Sequence, residues 1–359
     1  MKQFYLKIMG LIFKIKGAHP LLHFILGRFV SMVVILFILG FAVFALMELA
    51  PGDIVEKHVQ AQLMSEGSGI GNAMSSDLEY SEEKIADMRA ELGLDKPFYM
   101  QYLHWLKQII VEHDLGKSMI SRAPILYLIK TRIFNSILLN LISLFMLTFI
   151  SFALGIYFSS KVGTRTDLAA TFTALFLHSF PGLLLLILLQ LFAAVTGLFP
   201  VTAYPGFPFA EDPGRFVFSY MHHITLPLIG AFLGGIGGTM RMIRATMLDQ
   251  LGQPYITALR ARGISEGRVY FAHAFRNTLN PYITSSANLL AGLFSGSLIL
   301  EIIFSYPGIG RLMYEAVLQE DIYLVLANLM FTSFLVLLGM VLADILLAVV
   351  DPRIRYSNK

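Results

Sequence analysis

The chain contains no cysteine, which excludes a disulfide framework, thiolate zinc sites, a cysteine nucleophile and iron–sulfur clusters. Charge is also scarce. Asp, Glu, Lys and Arg make up 14% of the residues, against roughly 25% in a soluble domain. The net charge of +3 is too small to point to nucleic acid, and the basic residues form no single stripe. No G-x-x-x-x-G-K-[ST] run occurs, so the chain lacks the usual backbone cradle for nucleotide phosphates; H-E-x-x-H is missing too. Gly263 and Gly267 flank Ile-Ser-Glu, which matches no phosphate motif. No catalytic, metal or cofactor-binding residue is expected.

What remains is apolar length. The chain is 56% hydrophobic, with a mean hydropathy of +0.68. Charge-free runs occupy 29–47, 133–160, 168–210, 216–240, 277–300 and 322–343. About 20 apolar residues cross a hydrocarbon core at 1.5 Å rise each. Five runs suit one helix apiece. The third ends in LFPVTAYPGFPF at 198–209, dense in proline, glycine and aromatics, which reads as an interfacial loop. That leaves one span there, kinked or broken near Pro181.

The expected fold is an all-α integral membrane protein with six transmembrane helices, at 24–50, 132–160, 168–197, 223–245, 281–303 and 322–350. Lysine and arginine near the spans set the orientation. Lys2, Lys7, Lys14 and Lys16 of a leader at 1–23, with Arg28, come before the first apolar run, and no acidic residue accompanies them. Six spans place Lys161, Arg165, the 246–280 loop and the tail at 351–359 on that same, cytoplasmic side. The acidic segments fall outside, in 51–131, 198–222 and 304–321. Two readings of the leader stand, a basic amphipathic helix in the interface and a poorly ordered segment. The first apolar run is long for a signal peptide and lacks a good cleavage site, so it reads as a retained span.

The 51–131 segment is long enough for a helical subdomain. Ser81 suits a helix N-cap and Gly93 a helix end, and Pro97 opens a second helix with Phe98, Tyr102, Trp105 and Ile109 on one side. In the fourth span Gly230, Gly234 and Gly238 recur every four positions, joined by Gly235 and Gly237. In the fifth, Ala287, Ala291 and Ser295 do the same, beside Gly292 and Gly296. Such spacing lets helix backbones approach closely in lipid, so these faces are expected to pack on another helix or line a pore. Pro307-Gly308 suits a type II turn, followed by a short helix with Leu312, Met313, Ala316 and Val317 apolar. Buried ionisable residues mark function in membranes, and the candidates are Glu48, His178 and Asp344. The pair His222-His223 reads as interfacial.

The longest polar interruption of the second half runs from Arg241 to Pro281. It carries Arg241, Arg244, Arg260, Arg262, Arg268 and Arg276 against Asp249 and Glu266. Pro254 opens a short helix and Gly263 closes it, since proline tolerates the first helical position and glycine the left-handed turn beyond the last. This is a basic helix and turn pinned between two spans, suited to docking.

The run YITALRARGISEGRVYFAHAFRNTLNP at 255–281 resembles the signature loop of binding-protein-dependent ABC importer permeases, in the dipeptide/oligopeptide class and its first-subunit type. RATMLDQLG (244–252), ELGLDKPFYMQYLHWL (91–106), DLGKSM (114–119), EIIFSYPGIGRL (301–312) and DPRIRY (351–356) resemble it in the same order, over nearly the whole chain. The resemblance implies a permease subunit of the bacterial cytoplasmic (inner) membrane that forms half of a translocation pathway. It implies a second homologous permease, two cytoplasmic ATPase subunits that use ATP and Mg, and an extracytoplasmic solute-binding protein. The ATPase-coupling residues it implies are Tyr255, Thr257, Ala258, Arg260, Ala261, Arg262 and Gly263, with the arginines meeting acidic groups on the ATPase. The generic pattern begins Glu-Ala-Ala six residues before the glycine; Thr257, Ala258 and Leu259 stand here. Peptides are the implied cargo, with nickel or glutathione as alternatives on the same architecture. A membrane enzyme is opposed by the lack of a catalytic cluster, and an ion-coupled carrier by the scarcity of buried charge.

Overall fold

The computed structural model describes residues 20–48, 96–279, 282, 297–319 and 321–350. The leader to residue 19, the helix expected from Ser81 to Gly93, the fifth-span residues Ala287, Ala291, Gly292, Ser295 and Gly296, and the tail lie outside the described residues. So do the side chains of Glu48 and Asp344.

Helices account for the ordered backbone: α1 (Pro20–Glu48), α2 (Phe98–Lys107), α3 (Ile125–Ser159), α4 (Arg165–Ser179), α5 (Gly182–Thr196), α6 (Pro213–Leu251), α7 (Pro254–Ala261), α8 (Leu298–Ile303), α9 (Ile309–Leu318) and α10 (Ile322–Val350). Two π-helical segments, Gln108–Glu112 and Val269–Ala274, continue α2 and follow α7. Among the described residues the only bridge outside helices pairs Lys117 with Pro124.

Among the described residues, four helices are long and apolar enough to cross a membrane: Ile25–Leu46, Ile125–Ser159, Pro213–Leu251 and Tyr323–Leu342. The pair α4 and α5 makes a fifth if taken together, bent by 93°. The break falls where the sequence placed it. Phe180 precedes a proline and is driven out of the helical region, to ψ 131. Pro181 then stands before α5 without an N–H to donate. Each half has 15 residues, about 22 Å at helical rise, short of a ~30 Å hydrocarbon core. The fifth expected span, at 281–303, lies largely outside the described residues. α6 begins at Pro213, inside the segment read as loop to residue 222, and Asp212 caps it by accepting the Arg215 N–H at 2.9 Å.

The chain divides into two compact units. The first comprises Met1–Phe29, Ile129–Glu315 and Thr332–Lys359. Within it, α4 and α5 pack along α6, and α8 packs on α5. Its larger core joins Leu139, Leu186, Phe216, Tyr220, Ile224 and Tyr306. A second core of Ile156, Ile243, Met247, Ile256, Val269 and Ala274 lies at the loop end of α6.

The second unit comprises Val30–Leu128 and Ala316–Phe331. Pro97 precedes α2, as its fixed φ favours, and Tyr102 and Trp105 enter a core with Phe44 and Leu326. The Tyr102 hydroxyl donates to the Phe37 carbonyl at 2.9 Å. Ser118 donates to Asp321, which also accepts the Leu324 N–H at the start of α10. A buried carboxylate thereby caps one helix and holds the 114–125 turn.

Candidate functional site

Gly252 and Gln253 turn the chain from α6 into α7, and Pro254 takes the first helical position. The other end closes on Gly263 at φ +75, a conformation that costs residues with a Cβ roughly 1–2 kcal/mol. Gly263 N–H donates to Arg260 O at 2.9 Å and Ile264 N–H to Leu259 O at 3.3 Å. This is a Schellman cap, and the side chains of Leu259 and Ile264 pack against the same core beneath it. The sequence L-R-A-R-G-I at 259–264 therefore stops the helix with the glycine and seals it with the isoleucine.

α7 is two-faced. Ile256 is fully buried in the core with Ile156, Ile243, Met247, Val269 and Ala274. Thr257, Ala258, Arg260, Ala261, Arg262 and Gly263 are all exposed on the other side. Tyr255 turns inward instead: its hydroxyl donates to Gln250 Oε1 at 3.1 Å and accepts from Asn277 Nδ2 at 3.0 Å. It thus ties α7 to the end of α6 and to the helical segment beyond the π-helix. The loop caps a small core. Ile256→Ala is expected to cost about 2–5 kcal/mol and to raise amide exchange across α7 and 264–274 before the rest of the chain, as read by hydrogen exchange.

Arg260 has a partner inside the loop. Its guanidinium is paired within the loop, Nε with Glu266 Oε1 at 2.8 Å and Nη2 with Oε2 at 3.1 Å. Arg260 holds the Glu266 carboxyl below its ordinary 4.5. The pair is therefore intact above that range and is lost only as pH falls through the lowered value. Both groups are solvent-facing, so its contribution is small. Its use is geometric, bracing the turn around Gly263. Arg262 remains exposed on the outer face.

The expected glycine face is split. Gly230 abuts Leu186 and Leu189 of α5, Gly237 abuts the Ala174 carbonyl and His178 of α4, and Gly235 lies against Leu147 of α3. A Cβ at Gly238 would meet the His178 imidazole at 3.5 Å, while Gly234 has open space. Gly230 and Gly238 thus meet neighbouring helices and Gly234 does not, so within the described chain the three do not form one continuous packing surface. His178, the most central ionisable candidate, is exposed on the described chain and lies beside the bend. His222 is hydrogen-bonded to the Leu198 carbonyl and His223 to the Ser219 carbonyl.

Besides Asp321, two buried carboxyl groups among the described residues escaped the sequence reading because each sits at the edge of an apolar run. Asp167 at the start of α4 receives a two-pronged contact from Arg244 on α6, with both bonds at 2.7 Å. Glu301 on α8 is fully buried. Its Oε1 accepts from Ser136 Oγ at 2.7 Å and its Oε2 from the Arg311 N–H at 2.9 Å. Ser136 Oγ accepts in turn from the Ile309 N–H at 2.8 Å, so this cluster satisfies the start of α9. Gly308 lies directly against the carboxyl group. It is not at positive φ, so the type II turn expected at Pro307-Gly308 is corrected: glycine is needed there for space. Its N–H donates to Tyr306 O at 2.8 Å in a tighter turn. In α9, Leu312 and Ala316 are buried as expected, while Val317 is exposed.

A short basic helix on its own core between α6 and the π-helix lies within the chain's match to a known family. Residues 151–356 match the model described as "Binding-protein-dependent transport system inner membrane component". The chain belongs to that family. Residues 71–148 match its companion, "Binding-prot-dependent transport system membrane comp, N-term". The permease is similar to the oligopeptide transport system permease protein AppB of Bacillus subtilis (strain 168), 32% identical over 315 residues, covering 87% of this chain and 93% of that one. It is also similar to the dipeptide transport system permease protein DppB of Escherichia coli (strain K12), 31% identical over 358 residues, covering 94% and 100%. A third relative is the inner membrane ABC transporter permease protein YejB of Escherichia coli O157:H7, 31% identical over 301 residues, covering 81% and 82%. The permease is thus a multi-pass inner-membrane transport component.

Proposed function

We propose that the permease forms half of the translocation pathway of an ATP-driven importer for peptides, and that α7 with its Gly263 turn is the helix that docks on a cytoplasmic ATPase. The observation that carries this is the two-faced α7. Ile256 and Tyr255 fix it to the ends of the helices on either side, while Thr257, Ala258, Ala261 and Arg262 face outward. A surface built this way passes a push on its outer face into α6 without being deformed. Arg262, exposed at the end of α7, is a cation placed to meet acidic groups on the docking partner. The relatives named for oligopeptide and dipeptide transport support peptides over nickel as cargo.

In this reading both termini are cytoplasmic and a second, homologous permease completes the pathway. Two ATPase subunits bind and hydrolyse ATP with Mg, a solute-binding protein delivers the peptide on the outer side, and the permease itself binds no cofactor.

The test is co-purification from membranes followed by reconstitution with the binding protein. An ATPase is expected to co-purify, and peptide-stimulated ATP hydrolysis is expected to fall roughly tenfold in Gly263→Val. That factor corresponds to about 1.4 kcal/mol, within the cost of a β-branched residue in the left-handed region. Absence of an ATPase, or full stimulation in both Gly263→Val and Arg262→Glu, overturns the reading.

A further inference from the structure

We infer that the Asp167–Arg244 ion pair is the positioning contact that carries movement of the docking loop into α4; this rests on the ATPase-docking reading above. Asp167 is 6% exposed. Its Oδ1 accepts from Arg244 Nε and its Oδ2 from Arg244 Nη2, both at 2.7 Å, and Oδ2 also accepts the Gly163 N–H at 3.1 Å. Its own N–H donates to Thr164 Oγ1 at 3.3 Å, which caps α4. The turn before α4, the first turn of α4 and the guanidinium therefore converge on one carboxylate. Arg244 lies two turns before the end of α6 at Leu251, in the continuous helix that leads into α7.

A second contact lies two turns away on both helices. Seven residues along α4 from Asp167 is Ala174, and seven residues back along α6 from Arg244 is Gly237, whose missing side chain lets α6 press against the Ala174 carbonyl. Two fixed points about 10 Å apart set the tilt of α4 on α6 as well as its position. The planar fork of arginine on a carboxylate also resists rotation, which a single point charge does not. Displacing the α6 end from the loop thus moves α4 as a lever, and the far end of α4 is the bend at Phe180–Pro181. Stability alone gives little reason for such a pair, because well-packed apolar residues commonly serve a buried site equally well. Directional coupling does.

The experiment uses the complex of permease, ATPases and binding protein in proteoliposomes, and compares Arg244→Lys, Asp167→Asn and the unaltered chain. Arg244→Lys keeps the charge and loses the fork; Asp167→Asn keeps an acceptor for Gly163 and loses the charge. Both are expected to assemble with the ATPase and hydrolyse ATP, while peptide transported per ATP hydrolysed falls at least tenfold. A merely structural contact lowers assembly and leaves that ratio unchanged. An unchanged ratio in assembled Arg244→Lys overturns the inference, as does failure of both variants to assemble. If the unaltered chain recruits no ATPase, the docking reading itself fails.

Discussion

Glu301→Ala is expected to release the 304–311 loop from α3 and to abolish transport. The substitution leaves the Arg311 N–H without its acceptor, at about 1–3 kcal/mol for a buried donor. It also opens a cavity that Gly308 and Gly310, both pressed against the carboxyl group, have no side chains to fill. Together these losses come to about 3–5 kcal/mol, a large fraction of the roughly 5–15 kcal/mol that holds a native protein together. Glu301→Gln is expected to be much milder. Its carbonyl still accepts from Arg311, and its amide donates to Ser136 Oγ, which has a second lone pair beyond the one that accepts Ile309 N–H. Thermal unfolding of the purified permease and uptake in membranes check both. Equal effects of Ala and Gln, or wild-type uptake with Ala, would show that the loop is held by something else. The neighbouring bonds are Tyr306 to the Asn135 carbonyl and Asn135 to the Pro307 carbonyl.

Gly237→Ala and Gly234→Ala are expected to differ in sign. At Gly237 a new methyl group lands on the Ala174 carbonyl and at 3.1 Å from the His178 nitrogen. Both are backbone atoms that cannot swing aside, so α4 and α6 must separate, at about 1–3 kcal/mol or more. At Gly234 nothing lies within 4 Å, and alanine gains about 0.8–1 kcal/mol of helix propensity. The melting temperature should therefore fall for the first and hold or rise for the second, with transport lost only in the first. If Gly234 is instead buried against a second permease chain, Gly234→Ala loses transport while leaving the melting temperature of the isolated chain unchanged.

Much of the loop was readable from residue types. Pro254 and Gly263 are constrained by their own backbone chemistry, so the start and stop of α7 follow from local sequence. The break at Phe180–Pro181 was readable for the same reason. Pro227 shows the limit of that logic, for it lies buried inside an unbroken α6. Whether a proline breaks a helix in an apolar run depends on whether neighbouring groups satisfy the freed carbonyl, and no single-chain pattern records that.

Partners were not readable. Arg260 and Arg262 look alike in sequence, yet only Arg260 reaches across the Gly263 turn to Glu266. Asp167 and Arg244 are 77 positions apart, as Glu301 and Ser136 are 165 apart. Such pairs arise from helix packing, which periodicity cannot specify. The glycines of α6 are similar: spacing alone favoured Gly230, Gly234 and Gly238, whereas the tight approaches of neighbouring helices fall at Gly230, Gly235 and Gly237.

The sequence by itself determined a membrane-spanning helical chain, the proline and glycine limits of α7, and the family to which its motifs are similar. Each follows from hydropathy or from backbone constraints local to a few residues. Only the tertiary structure decided which face of α7 is buried, which arginine is already paired, and which carboxyl groups hold the helices in register. Those depend on contacts between distant segments, where a few ångströms separate a bond from open space.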